Sequence, residues 1–148
     1  MRKVVRIMND DDVMLRGLNF DADGGILFDD GMMLVGHHGQ DCCEHVYADW
    51  EHLRDESGFM EADFSDLKIE EFNGLHSGIR VCGGKRKFFV PCYNEQNGYY
   101  SDILDIALVN TKKQESQEVG WWSGKTQYRP CYVVEQWWEG VPVEDDIY

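Results

Sequence analysis

The chain has 148 residues, of which 43% are hydrophobic and 13% aromatic, the size of one domain and too apolar for a disordered chain. Its 28 acidic residues against 14 basic ones give a net charge of −14, a field that repels nucleic acid and anionic membrane and attracts basic proteins. No apolar run approaches the ~18 residues of a membrane span, and Met1 to Asp10 holds no apolar signal-peptide core, so a cytoplasmic protein without direct nucleic-acid or membrane contact is expected.

Segment 3–8 is short and β-branched and runs into the acidic cluster Asn9-Asp10-Asp11-Asp12, which reads as a strand and a turn. Val13 to Phe20 reads as a second strand, closed by Asp21-Ala22-Asp23-Gly24-Gly25. Two apolar runs follow, Ile26-Leu27-Phe28 and Met32-Met33-Leu34-Val35, joined by Asp29-Asp30-Gly31, and Asp-Gly between such runs is a strong hairpin signature. Asp49 is placed to cap one short helix near 49–56. Residues 66–72 alternate as a half-buried strand, and 79–82 with 87–93 flank Gly83-Gly84 as a second hairpin. In that hairpin Phe88, Val90 and Cys92 face one way, Phe89 and Tyr93 the other. Asn97-Gly98 then feeds a strand carrying Leu104, Ile106 and Leu108, so that 79–109 is expected to form a three-strand meander.

After the polar stretch Asn110 to Glu118, segments 119–122 and 128–138 are rich in strand formers. Residues 139–148 read as an acidic tail. The expected fold is therefore α+β, predominantly antiparallel β: a meander and hairpin sheet with one short helix, in a single domain over 1–138. The five cysteines (Cys42, Cys43, Cys82, Cys92, Cys131) are odd in number and include an adjacent pair, which suits free thiols better than a disulfide framework.

Two motifs, Gln40-Asp41-Cys42-Cys43-Glu44-His45-Val46-Tyr47 and Asn97-Gly98-Tyr99-Tyr100-Ser101, together resemble the paired signatures of a small domain family of unknown function found largely in phage and prophage genomes. The resemblance covers about residues 20–109, and the part with the Trp-Trp pairs departs from it. It implies a phage or mobile-element setting and no particular reaction.

The densest chemistry lies at 37–45, where His37, His38, Asp41, Cys42, Cys43, Glu44 and His45 can all ligate metal or carry protons. An extended backbone would put His37, Asp41, Cys43 and His45 on one face. A zinc site normally adds a second ligand pair far along the chain, and none is recognisable; no cofactor is expected. The alternative reading is an enzyme of small ligands or metal, with His38, Asp41, Cys43, Glu44 and His45 as its catalytic set and His37, Cys43 and His45 as metal ligands. Neighbouring carboxylates disfavour a thiolate at Cys42 or Cys43, which weighs against a cysteine nucleophile. Asp21-Ala22-Asp23-Gly24-Gly25 lacks the later ligands of an EF-hand loop. Lys85, Arg86 and Lys87 form one basic patch, either a solvated edge or, with Lys85, Lys87, Tyr99 and Tyr100, a small-ligand site.

The primary reading is an acidic binding protein that occludes a basic surface of a host defence or nucleic-acid-processing protein, with carboxylates standing in for phosphates. Asp10, Asp11, Asp12, Asp29 and Asp30 are the expected docking acids. Trp122 and Trp137, one from each Trp-Trp pair, are the expected aromatic anchors, because adjacent strand residues point to opposite faces.

Overall fold

Gly31 sits at φ +86, a backbone region that favours glycine, and its N–H closes the turn onto the Phe28 carbonyl at 3.2 Å. The hairpin read at 26–35 forms around it. The computed structural model describes residues 1–38, 46–95 and 103–145. Its strands, in chain order, are β1 (Val4–Asn9), β2 (Gly24–Phe28), β3 (Met32–His37), β4 (Val46–Ala48), β5 (Lys68–Asn73), β6 (Ser77–Gly83), β7 (Arg86–Asn94), β8 (Asp105–Trp122), β9 (Lys125–Trp138) and β10 (Glu144–Asp145). They form two sheets, ordered β1-β2-β3-β8-β9 and β10-β7-β6-β5, with β4 also paired to β7. All pairings are antiparallel except β10 with β7.

The main core lies where the sheets meet. Phe28, Leu34, Leu104 and Ile106 of the first sheet's chain segments share it with Ile79, Val81, Phe88 and Val90 of the second, and Trp50, Leu53, Phe59 and Phe64 fill it from the connecting segment. The first sheet is covered on its other face too. There Met33, Val35, Ala107 and Val109 pack under Leu15 and Leu18. Burial on both faces explains why β3 reads as a continuous apolar run rather than an alternation.

The strand-rich class and both local hairpins appear as expected, with Phe88, Val90 and Cys92 buried and Phe89 and Tyr93 only partly so. The short helix near 49–56 is a 3-10 helix, Trp50–Asp55, and Asp49 makes no side-chain capping bond to it. Three expectations are corrected. Val13–Gly17 is a 3-10 helix, not a strand, because Asp12 accepts the Met14 N–H and starts the turn. The 79–109 meander breaks, since β8 pairs with β3 in the other sheet. The polar stretch 110–118, to which the sequence assigns no element, is strand. Residues 139–145 are no free tail: the Val141 N–H donates to the Leu104 carbonyl at 2.9 Å, its side chain is buried, and Glu144 and Asp145 pair with Tyr93 and Asn94.

Beyond Asn110, β8 and β9 pair only with each other. The register jumps from Asn110 opposite Val133 to Gln114 opposite Tyr132, a bulge that turns the ribbon away from the sheet. Thr111 anchors the departure by donating its backbone N–H and its hydroxyl to the Gly31 carbonyl, at 3.0 and 2.6 Å. Among the described residues no helix is long and apolar enough to cross a membrane.

Candidate functional site

Pairing of Asn9 with Gly24 brings the end of β1 against the start of β2, and so sets Asp10 beside Asp23. Asp23 holds its place through its N–H to the Gly36 carbonyl at 3.1 Å and its Oδ2, which accepts the Ala48 N–H at 3.2 Å. That last bond ties the first sheet to β4, and β4 delivers Tyr47, Asp49 and the start of the Trp50–Asp55 helix. The result is a cleft of two adjoining cavities, of about 270 and 210 Å³, which share Asp10, Asp23 and Tyr47. Asp21 completes the first, Asp49 and Glu51 the second. Five carboxylates from separate chain segments thus line one cleft.

The Tyr47 hydroxyl donates to Glu95 Oε1 at 3.0 Å. Burial first, and the neighbouring Glu95 carboxylate second, push its pKa upward, so the phenol stays a neutral donor. In such a cleft carboxylates accept hydrogen bonds and stabilise positive charge. An ammonium or guanidinium is the chemistry it suits.

Strand alternation separates the two adjacent histidines. His37 lies on the outer face, its ring 4.9 Å from Phe20 and 6.1 Å from Trp137, and its Nδ1 donates to the Asp21 carbonyl at 2.7 Å. His38 is buried and lines the first cavity, and its Nδ1 donates to the Ile103 carbonyl. A carbonyl only accepts, so the proton sits on Nδ1 in both rings. The remaining members of the alternative catalytic and metal sets, Asp41, Cys43, Glu44 and His45, lie outside the described residues, as does Cys42. Among the described residues no group of three or more His, Cys, Asp or Glu side chains is disposed to hold a metal ion.

The expected docking acids divide. Asp10 and Asp11 are exposed at the cleft end of β1. Asp12 is not available for docking: its side chain is buried, Oδ2 pairs with Arg6 at 2.5 Å, and Oδ1 caps the following turn. Asp29 and Asp30 sit at the opposite end of the β1–β2 pair. There Asp29 Oδ1 accepts the Lys3 N–H and Asp30 pairs with Arg2 at 2.7 Å. Burial works against the Asp30 charge, yet Arg2 and the Met32 N–H hold its carboxyl below the usual carboxylate range.

The basic patch is partly self-neutralised. Lys87 pairs with Glu70 at 2.6 Å, and Arg86 donates to the Ser57 carbonyl at 3.2 Å, whereas Lys85 is exposed at the turn. Tyr99 and Tyr100, its suggested companions, lie outside the described residues.

Trp137 packs 5.1 Å from Phe20 on the outer face of the first sheet, with 39% of its surface exposed. Trp121 and Trp122 are both exposed, at 70% and 74%. One tryptophan of each pair is expected outside the main core; at 121–122 both lie there, because a two-stranded ribbon has no core side. Asp21 and Asp23 read in sequence as turn acids, Asp49 as a helix cap and Tyr47 as the end of a motif, and Glu51 carried no signal of its own. Only the register of β1 with β2 and of β4 with β7 gathers them.

Cys82, Cys92 and Cys131 are buried free thiols. Burial, with Asp23 and Asp49 nearby, pushes the Cys92 pKa far up, and a thiol without thiolate is a poor nucleophile. Iodoacetamide treatment of the native protein followed by peptide mapping should therefore leave Cys92 unmodified until denaturant is added. Rapid native labelling of Cys92 would contradict its burial.

No protein-family model matches the chain, and no curated protein or solved structure does. Most of the two sequence motifs that carry the phage-family resemblance, residues 40–45 and 97–101, lies outside the described residues.

Proposed function

We propose that the chain is a binding domain whose acidic cleft occludes a basic surface of a host defence or nucleic-acid-processing protein, with its carboxylates taking the place of nucleic-acid phosphates. The observation that carries this reading is the convergence of Asp10, Asp21, Asp23, Asp49 and Glu51 on adjoining cavities. A lysine or arginine of the partner entering there would meet several acceptors at once. The charge of the whole chain, −14, would speed encounter with such a surface and make it salt-sensitive. The motif resemblance at 40–47 and 97–101 supports a phage or mobile-element origin for the domain.

The test is a pull-down from host lysate at low and high salt, followed by association kinetics with the captured protein. A basic partner should be retained at low salt and released at high salt. The combined variant Asp10→Asn, Asp11→Asn should slow association by about tenfold or more while leaving unfolding unchanged; Glu51 is left in place because it is ion-paired with Arg54. Asp12 and Asp23 are poor choices for this variant, since each supports the backbone. Equal retention at both salts, or a partner that binds wild type and variant at the same rate, would refute electrostatic occlusion.

A further inference from the structure

The two-sheet sandwich is open along one side. β9 is the outermost strand of the first sheet and β5 of the second. Between them lies a groove of about 400 Å³, within the roughly 300–1,000 Å³ of small-ligand clefts. The first sheet contributes Leu108, Gln136 and Trp138, the second Leu67, Lys68 and Gly84, and Arg2, Ser65 and Asp66 complete the lining. None of these residues lines the acidic cleft.

The residue pattern of this edge departs from that of a closed core. Gln136 lies directly opposite Leu108, and Trp138 opposite Ile106, so strand alternation turns all four toward the core side of the first sheet. Ile106 is fully buried, and Leu108 and Trp138 pack against the core in turn. Gln136 is exposed in the same row, an amide where the pattern calls for an apolar side chain. Trp138 is held against the core and also lines the groove, which makes its ring a fixed aromatic platform.

Around that platform stand polar groups the fold does not use. Among the described residues none makes a side-chain hydrogen bond or ion pair with Asp66, Lys68 or Gln136. Ser65 is committed: its hydroxyl donates to Asp63 Oδ1 at 2.6 Å and accepts the Arg2 N–H at 3.2 Å. Arg2 is held in place, with Nε on Asp30 at 2.7 Å and Nη1 donating to the Phe64 carbonyl at 3.4 Å, and keeps further N–H groups to donate. The groove therefore offers a carboxylate that accepts, an ammonium and a guanidinium that donate, and an amide that does both.

Charge narrows the ligand. Lys68 offsets Asp66 and Arg2 offsets Asp30, so the groove carries no net charge, while the −14 of the whole chain disfavours phosphorylated or carboxylated molecules. Its complement is a neutral molecule with one apolar face and a rim of groups that both donate and accept.

We propose that this groove binds a neutral pyranose sugar, as a mono- or disaccharide, stacked on Trp138. The C–H face of the ring lies on the indole, burying apolar surface on both. Its hydroxyls, each a donor and an acceptor, donate to Asp66 and to Gln136 Oε1 and accept from Lys68, Arg2 and Gln136 Nε2. Leu67 and Leu108 exclude water beside the ring. The inference is independent of the function proposed above, since it shares no residue with the acidic cleft and its test needs no partner protein.

The experiment is an NMR titration of the full-length chain with glucose, galactose, mannose, N-acetylglucosamine, maltose, cellobiose and lactose, following the tryptophan indole N–H signals. Trp138 is identified as the signal lost in Trp138→Phe. The expected result is a saturable shift of the Trp138 signal with at least one of these sugars. The signals of Trp121 and Trp122, whose rings are exposed, should stay in place and so exclude unspecific stacking. Gln136→Ala and Asp66→Ala remove exposed side chains that make no bond to the protein, so each should leave the denaturant midpoint unchanged and weaken sugar binding by about tenfold. AMP and glucuronate should bind more weakly than the neutral sugar.

Absence of a saturable Trp138 shift with all seven sugars overturns the proposal. So does an affinity unchanged in both Gln136→Ala and Asp66→Ala, a shift shared equally by the exposed tryptophans, or tighter binding of AMP or glucuronate than of every neutral sugar.

Discussion

Phe64→Ala is expected to remove about 3–5 kcal/mol of stability, a large share of the roughly 5–15 kcal/mol that holds a domain folded. Phe64 is fully buried, with its ring centroid 5.5 Å from Phe28, 5.6 Å from Phe59 and 5.8 Å from Phe88. These contacts join the first sheet, the connecting segment and the second sheet. Its backbone also participates, since the Phe64 N–H donates to the Arg2 carbonyl at 2.7 Å, fixing the ring's approach. Neighbours drawn from three separate segments cannot close together over the void without moving both sheets, which places the cost at the high end for such truncations. Thermal unfolding should fall by roughly 6–20 °C for a domain of this size. A loss below about 1 kcal/mol by denaturant titration would show that the sheets do not share this core. Trp122→Ala, which deletes a larger ring, is the control, because in the monomer that ring touches little but water.

Gly25→Ala should be as damaging for a different reason. A Cβ built on Gly25 falls 1.9 Å from the Leu34 carbonyl oxygen and 3.0 Å from Val35 Cγ1. The first obstacle is backbone, held by the β2–β3 ladder in which Gly25 opposes Val35, so no rotamer change relieves it. Overpacking a core usually costs about 1–3 kcal/mol, and a clash with a laddered carbonyl belongs at or above the upper end. The strain falls where β1, β2 and β3 meet, the junction that sets Asp10 beside Asp23, so the variant should lose partner binding together with stability. Gly120→Ala has nothing within 4 Å of its added methyl and should leave the denaturant midpoint unchanged. Equal midpoints for wild type and Gly25→Ala would mean that β2 and β3 are not spaced as described.

Chain-local chemistry was readable wherever it was sufficient. Asp30-Gly31 and Gly83-Gly84 demanded tight turns, and the apolar runs beside them had no other way to pair. The same reasoning failed at Val13–Gly17, where Asp12 diverts a strand-like composition into a 3-10 turn through one side-chain bond. It assigned no element to 110–118, whose polar residues are strand because the partner is β9 and not a core. Alternation of hydrophobicity reports burial, and a ribbon standing in water has none to report.

Length, composition, charge and turn residues by themselves determined a strand-rich domain with a strong acidic bias and free thiols, because each of these properties acts within a few residues or as a sum over the chain. Where the acids gather was decided only by tertiary structure. Asp12, Asp29 and Asp30 looked equivalent to Asp10 in sequence, yet they cap, bridge and brace, while Asp21, Asp23, Asp49 and Glu51 are gathered around Asp10 from distant segments. Such gathering depends on strand register and on which sheet β8 joins, and these follow from the packing of two sheets on one core.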